Sequence, residues 1–467
     1  MRDLFGIRKS AETGKREESR VLQAKIVAME SKCDHPGPQA GATIPLVEKA
    51  FSRNASNVRR ALNTKISPRI LVLFFALLFV SELAWTSPQA ILPDLQSADA
   101  LGAELFQHAG STGMVLVVVR NDQVFFKGYG ETAPNSRQVP TANSVVRLCS
   151  LTKIFTTDLL AKLVNDKSVA LDDPLQRYAP PHAVLPRRVQ PITLLNLATH
   201  TSGLPRELGN APAGTPHFTY PDYGTRWHWV PGQHLRSVPG SEALYSNVGF
   251  DLLGDALQSA AHKPFAAALA ERTLKPLRMY QTTYFPNASQ CAQLLISARD
   301  EGPCTSTEES EGSSGLYSTS ADVAIWLKYL LGTGAPEIPT QDSAAQGIYI
   351  LSSNLNSEKG LDHAGVPMGV GLGWLHLLPY NDPSHIVQKT GGGAGFSTYI
   401  AINQARHTAI FVAATEGSRV SHFNLFKGAN DVLLTLAGLP PFPVDRPKTI
   451  VKPDRRRHAR QVRAIGK

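Results

Sequence analysis

Ser150-Leu151-Thr152-Lys153 is the stretch on which the reading of this chain turns. A serine hydroxyl is a weak nucleophile at neutral pH unless a neighbouring group takes its proton. Three apart on a helix, a serine and a lysine share one face, with Cβ atoms roughly 5–6 Å apart. Apolar residues follow at helical spacing: Ile154, Phe155, Leu159, Leu160, Leu163 and Val164. The spacing therefore predicts that the pair sits in the first turn of a buried helix. Burial there disfavours the charged form of Lys153 and would leave it able to accept a proton. The tetrad alone decides nothing, because a chain of 467 residues should hold about one Ser-x-x-Lys by chance.

The rest of the chain bounds the setting. The formal charge is +9, which invites a nucleic-acid reading, so its distribution matters. Residues 1–69 carry 14 Lys+Arg against 7 Asp+Glu, and residues 446–467 carry 9 against 1. The segment between them carries 24 against 30 and is mildly acidic. A phosphate-binding face on the globular part is thereby disfavoured, and no nucleic-acid partner is expected. The last segment, 446–467, reads as a basic disordered tail.

Residues 70–80 are an unbroken apolar run, preceded by Arg59, Arg60, Lys65 and Arg69. Eleven apolar residues behind a basic flank match a secretory signal better than a spanning helix, which needs about 20. Residues 70–87 are expected to be a signal peptide or a signal anchor, with membrane association through 70–85 in the second case. Residues 1–69 fit no signal lead and read as a disordered or mis-assigned extension. Either way the remainder is exported, which makes a disulfide feasible. Cys291 and Cys304 lie in one loop-like segment and are the candidate pair. Cys149 reads as a small buried residue.

Along the exported part, 114–119 and 124–129 are β-rich runs joined by Asn121-Asp122, a hairpin signal. From 190 to 330 the pattern is mostly helix and loop, with helices near 192–198, 247–260, 265–274 and 320–331. Residues 332–368 read as a variable surface excursion. Strands return at 371–377, 386–389, 396–402 and 408–415, and an apolar helix closes the chain at 423–437. This is an α+β pattern: an antiparallel sheet built from both chain ends, flanked by helices, with a mostly helical lobe inserted. The site is expected where the two meet. The histidines at 200, 217, 228 and 234 are scattered and read as loop or core residues, so neither metal nor cofactor is expected.

Two further clusters change the weight of Ser150. Tyr245-Ser246-Asn247 opens a helix after Pro239-Gly240, and Lys389-Thr390-Gly391-Gly392-Gly393 ends an apolar strand. Each alone is ordinary, a helix cap and a turn. In the order Ser-x-x-Lys, Tyr-x-Asn, Lys-Thr-Gly, coincidence becomes improbable. With these motifs the chain resembles the serine β-lactamase and penicillin-binding protein superfamily, class C type, over roughly 110–440. The segments 194–205, 315–319 and 371–374 agree. Arg147-Leu148-Cys149-Ser150, Tyr178-Ala179-Pro180-Pro181, Gln388-Lys389-Thr390 and the Cys291/Cys304 pair make it similar to AmpH-type D-alanyl-D-alanine carboxypeptidase/endopeptidases.

The resemblance implies a β-lactamase/transpeptidase-like domain over 95–440 and a periplasmic serine hydrolase acting on peptidoglycan peptides and binding β-lactams. It implies Ser150 as nucleophile, Lys153 as proton acceptor or relay, and Tyr245 as phenolate base or shuttle, its acidity raised by two lysines. Asn247 would bind the substrate amide, and Lys389, Thr390 and Gly391 its carboxylate end. The Ser150 and Gly392 N–H groups would form the oxyanion hole. A β-lactamase, an esterase on the same scaffold and a non-catalytic penicillin-binding sensor are the alternatives.

Overall fold

The computed structural model of the protein describes residues 92–442, except 182, 300–301, 334–342, 362–363 and 419–420. The extension, the export segment and the basic tail expected from sequence lie outside the described residues.

Twelve strands are seen among the described residues. In chain order they are β1 Gly113–Arg120, β2 Gln123–Gly130, β3 Val145–Arg147, β4 Ala243–Leu244, β5 Tyr317–Thr319 and β6 Ile350–Leu351. There follow β7 Glu358–Lys359, β8 Pro367–Val370, β9 Leu375–Leu377, β10 Ile386–Gly393, β11 Phe396–Asn403 and β12 Thr408–Thr415. Eight form one antiparallel sheet in the order β2-β1-β12-β11-β10-β9-β8-β6. The first hairpin thus pairs with the last strand of the chain, so both ends build one sheet as expected.

The central strands show why they are apolar on consecutive positions rather than alternating. Successive side chains in a strand point to opposite faces, and both faces of this sheet are covered. Val115, Val117 and Val119 of β1 enter the larger core with Ala409, Phe411 and Ala413 of β12. Met114, Leu116 and Val118 enter a second core with Ile410, Val412 and Ala414. That second core lies beneath the two terminal helices, α1 (Ala98–Ala109) and α5 (Leu425–Leu436). The larger core is closed by α2 (Thr152–Asn165), α3 (Asn247–Ala261) and α4 (Ser320–Leu331).

Helix α2 is buried along almost its whole length, its polar residues Thr152, Lys153, Thr156, Thr157 and Asp158 included. Its Phe155 ring stacks on Trp326 of α4 with centroids 4.1 Å apart. The polar Asp158 is tolerated in this core because Tyr329 Oη (2.7 Å), Thr273 Oγ1 (2.8 Å) and Lys162 Nζ (2.7 Å) all donate to it. Cys291 and Cys304 form a disulfide with Cα atoms 5.7 Å apart.

Three local expectations are corrected. Ser150 precedes α2, in a single 3-10 turn Cys149–Leu151, because Leu148 and the residues after it bend to meet β10. Of the strand expected over 371–377 only Leu375–Leu377 is strand; residues 371–374 form the turn between β8 and β9, in which Gly373 takes a φ of 73° and donates to the Ala198 carbonyl. Within 332–368, β6 forms the sheet's last strand and β7 pairs with β4, so that segment is partly framework.

Phe155→Ala removes the side chain that joins α2 to α4, and a buried Phe→Ala change typically costs about 3–5 kcal/mol. Urea unfolding should show that loss; a change below about 1 kcal/mol would contradict this packing.

Candidate active site

The turn that presents Ser150 is fixed from both sides. The Leu148 N–H donates to Leu316 O (2.8 Å) and its carbonyl accepts from Thr398 Oγ1 (2.9 Å). Cys149 takes a φ of 52°, a left-handed conformation uncommon outside glycine. Its thiol is buried against Gly393 O at 3.4 Å, and burial pushes its pKa up to about 12. A thiol held neutral in this way is not a competing nucleophile. Strand β10 approaches so closely that a Cβ on Gly391 would lie 3.0 Å from the Ser150 nitrogen and 2.8 Å from Leu148 O. Glycine is therefore required at 391 by contact, whereas the neighbouring Gly392 is exposed at the strand end.

Lys153 lies in the first turn of α2 with no solvent exposure. Its Nζ donates to Asn247 Oδ1 (2.7 Å) and to the Ser313 carbonyl (2.9 Å), and it lies 3.3 Å from Ser150 Oγ. A neutral amine has two hydrogens and one lone pair. In that form, with its hydrogens on Asn247 and Ser313, the amine would turn its lone pair to the Ser150 hydroxyl. Burial, and then the charge of Lys389, hold the Lys153 pKa well below the usual lysine range. Tyr245 Oη donates to Ser150 Oγ at 2.8 Å. The hydroxyl thus lies between the Tyr245 phenol and the Lys153 amine.

Tyr245 precedes α3, where Ser246 caps the helix through Gly249 N–H (2.9 Å) and places Asn247 in the first turn. Three basic side chains surround the phenol: Arg206 Cζ lies 4.6 Å, Lys153 Nζ 4.9 Å and Lys389 Nζ 5.3 Å from the ring centroid. Lys389, from β10, is buried and donates to the Thr390 carbonyl at 2.7 Å. The three sequence motifs therefore converge, and Lys389 is closer to the proton-handling groups than a separate carboxylate clamp would be.

Other site residues escape the sequence reading. Glu207 Oε1 accepts from Asn247 Nδ2 at 2.5 Å, so both ends of the Asn247 amide are engaged. His200, a buried residue in the turn after Ala198 as expected of a loop or core histidine, also touches the site. Its ring stacks on Tyr245 with centroids 4.4 Å apart, and its Nδ1 accepts the Ser246 N–H at 3.1 Å. Burial, then the nearby lysines, keep this imidazole neutral well below the ordinary histidine range. The available signal was the position of Arg206, Glu207 and His200 around the 194–205 segment that carries the family likeness. Among the described residues, no group of three or more His, Cys, Asp or Glu is arranged to hold a metal ion.

This constellation can do nucleophilic acyl transfer: a hydroxyl with a buried amine as proton acceptor and a phenol as second proton carrier. Comparison with known proteins agrees. The family model described as Beta-lactamase matches residues 98–428. The D-alanyl-D-alanine-carboxypeptidase/endopeptidase AmpH of Escherichia coli (strain K12) is 39% identical over 344 residues, covering 73% of this chain and 89% of that protein. The structure of a beta-lactamase/D-alanine carboxypeptidase from Yersinia pestis complexed with citrate superposes with a TM-score of 0.69 and 38% identity. The superposition covers 74% of this chain and 99% of the Yersinia chain. A class C beta lactamase from Rhodobacter sphaeroides, 20% identical with a TM-score of 0.57, shares the fold over 72% of this chain and 97% of its own. On the extent of the family match and the identity to these relatives, the chain belongs to the beta-lactamase family.

Proposed function

We propose that this protein is a serine DD-peptidase, a D-alanyl-D-alanine carboxypeptidase/endopeptidase that cleaves peptidoglycan peptides through an acyl-enzyme on Ser150. The observation that carries the reading is the Ser150 hydroxyl set between Tyr245 Oη and the buried Lys153 amine, which Asn247 and the Ser313 carbonyl also hold. The relatives named for D-alanine carboxypeptidase activity, at 38–39% identity, supply the substrate class.

In the acylation step Ser150 Oγ attacks the penultimate D-Ala carbonyl and Lys153 takes its proton. The Ser150 and Gly392 N–H groups are assigned to the developing oxyanion, where each donor is worth about 2.7–4 kcal/mol. The peptide C–N bond breaks and Tyr245 gives its proton to the departing amine. The resulting phenolate is balanced by Lys153, Lys389 and Arg206, the cations around its ring. Water then attacks the ester and gives a proton to Tyr245, while Lys153 returns its proton to Ser150 Oγ. Both groups end as they began. Asn247 is assigned to the substrate amide after release from Glu207, and Lys389 and Thr390, beside Gly391, to the terminal carboxylate.

The proposed compartment is the periplasm. A disulfide between Cys291 and Cys304 supports it, because such bonds persist in oxidising compartments. Among the described residues no helix is long and apolar enough to cross a membrane. Residues 70–85, proposed to engage the membrane if the signal is retained, lie outside the described residues. Residues 95–440 are proposed as the acyl-transfer domain.

Release of D-Ala from a muropeptide pentapeptide, followed beside nitrocefin hydrolysis, tests the function. D-Ala release is expected; rapid nitrocefin turnover with no D-Ala release would make the enzyme a β-lactamase instead. Losing a charged hydrogen bond costs about 1.5–3 kcal/mol, so Lys389→Ala should lower kcat/KM on the free-acid peptide about 10- to 100-fold. Because Lys389 also lies beside the Tyr245 ring, the C-terminal amide should lose activity as well, but severalfold less, and equal losses on both would remove Lys389 from carboxylate binding.

A further inference from the structure

Behind Lys153 lies a carboxylate that the acyl-transfer chemistry above does not use. Asp251 stands one helical turn after Asn247 on α3, so its side chain shares the face that meets Lys153. It is 3% exposed, and its Oδ1 has no hydrogen-bond partner among the described residues. Its other contact is the Ser313 side chain, and the Ser313 carbonyl is one of the two acceptors of Lys153 Nζ. A buried carboxylate with one oxygen unmet is costly unless a charge elsewhere answers it.

The surrounding charges decide what that charge is. Asp255, a turn further along α3, is fully answered by Arg226: Nη2 to Oδ1 is 2.8 Å and Nε to Oδ2 is 3.2 Å. Arg226 also donates to the carbonyls of Pro221 (2.5 Å) and Glu309 (2.6 Å), so four of its N–H donors are engaged away from Asp251. Tyr284 also faces Asp251, and its hydroxyl donates to the Glu311 carbonyl at 2.7 Å. Glu309 and Glu311 lie farther out, beside Arg226 and Tyr284. Of the cations facing Asp251, Arg226 is paired with another carboxylate, and Lys153 is the one whose charge changes during the reaction.

We propose that Asp251 is a positioning residue, the buried counter-charge that accepts the ammonium form of Lys153 once the Ser150 proton has moved. The inference rests on the acyl-transfer reading and adds to it the group that sets the basicity of the base. Before attack, Lys153 is neutral with its lone pair on Ser150. After proton transfer it is an ammonium with three hydrogens, on Asn247, Ser313 and the ester oxygen of Ser150. Its charge then sits in a site with no solvent, and the Asp251 carboxylate offsets it. No proton is gained or lost by the pair beyond the one that Ser150 gives up.

Burial pushes the Asp251 pKa up to about 7, and among the influences that hold it down are Arg226, Ser313 and Lys153. As pH falls through that value, Asp251 becomes neutral and ceases to support the ammonium. The acid side of the acylation profile should therefore contain two coupled ionisations belonging to the Lys153–Asp251 pair.

The test is the second-order rate of Ser150 acylation by a fluorescent penicillin, measured from pH 4 to 9 on the wild type, Asp251→Asn and Ser313→Ala. With the counter-charge gone, Lys153 binds a proton less readily. In Asp251→Asn the acid limb should move to lower pH by about one unit or more and reduce to a single ionisation, and the plateau should fall severalfold. Ser313→Ala keeps the carbonyl that holds Lys153 but removes the hydroxyl that favours ionised Asp251. Its Asp251 ionisation should therefore move to higher pH, opposite to the shift in Asp251→Asn, and this variant serves if the asparagine variant does not fold. A lower plateau with the limb unmoved in both variants would make Asp251 merely structural and overturn the proposal. Absence of labelling in the wild type at every pH would instead overturn the acyl-transfer reading, and the role of Asp251 with it.

Discussion

The Lys153 amine, wholly buried, meets an oxygen from each of three segments distant in sequence: Ser150 beside it, Asn247 on α3 and the Ser313 carbonyl before β5. A lysine without solvent needs every hydrogen accepted, or it costs several kcal/mol in lost hydration. That requirement fixes where α3 and the 313–316 segment stand against α2. It also orients the nitrogen lone pair. The structural demand of burial and the chemical demand of catalysis are met by the same three contacts.

A second constraint comes from the sheet. β10 must pass within van der Waals reach of the Ser150 nitrogen, and the bare backbone of Gly391 allows it. The sheet can hold β10 there because β1 and β12 pair across the whole chain and are packed on both faces. Precision at Ser150 thus comes from a framework whose strands lie nearly 300 residues apart in sequence. Lys389, delivered by the same strand, joins Lys153 and Arg206 around the Tyr245 ring. Positive charge at that ring favours any negative charge passing through its oxygen.

What was legible in the sequence follows from range. Ser150 and Lys153 are three residues apart and locally helical, so their proximity could be read directly. Tyr245, Asn247 and Lys389 became readable through their order and their resemblance to a known family. The strands were visible as β-rich apolar runs and the helices as period-3.6 patterns, with ends correct to a few residues. Gly371–Trp374 was misjudged because a turn held by Ala198 depends on a contact that no local pattern encodes. Glu207, His200, Ser313 and Asp251 stayed hidden for the same reason. A glutamate after Pro205-Arg206 reads as a solvated loop residue until Asn247 is brought to within 2.5 Å of it. Asp251 reads as a helix-face acid until the fold buries it.

The central claim is that Ser150 is the nucleophile of a covalent acyl-enzyme, and mass spectrometry of the intact and digested protein after incubation with benzylpenicillin tests it most directly. The account requires the wild type to gain the mass of one penicillin molecule, carried by the peptide containing Ser150, and Ser150→Ala to gain none. An adduct on another residue, or one retained in folded Ser150→Ala, would contradict it.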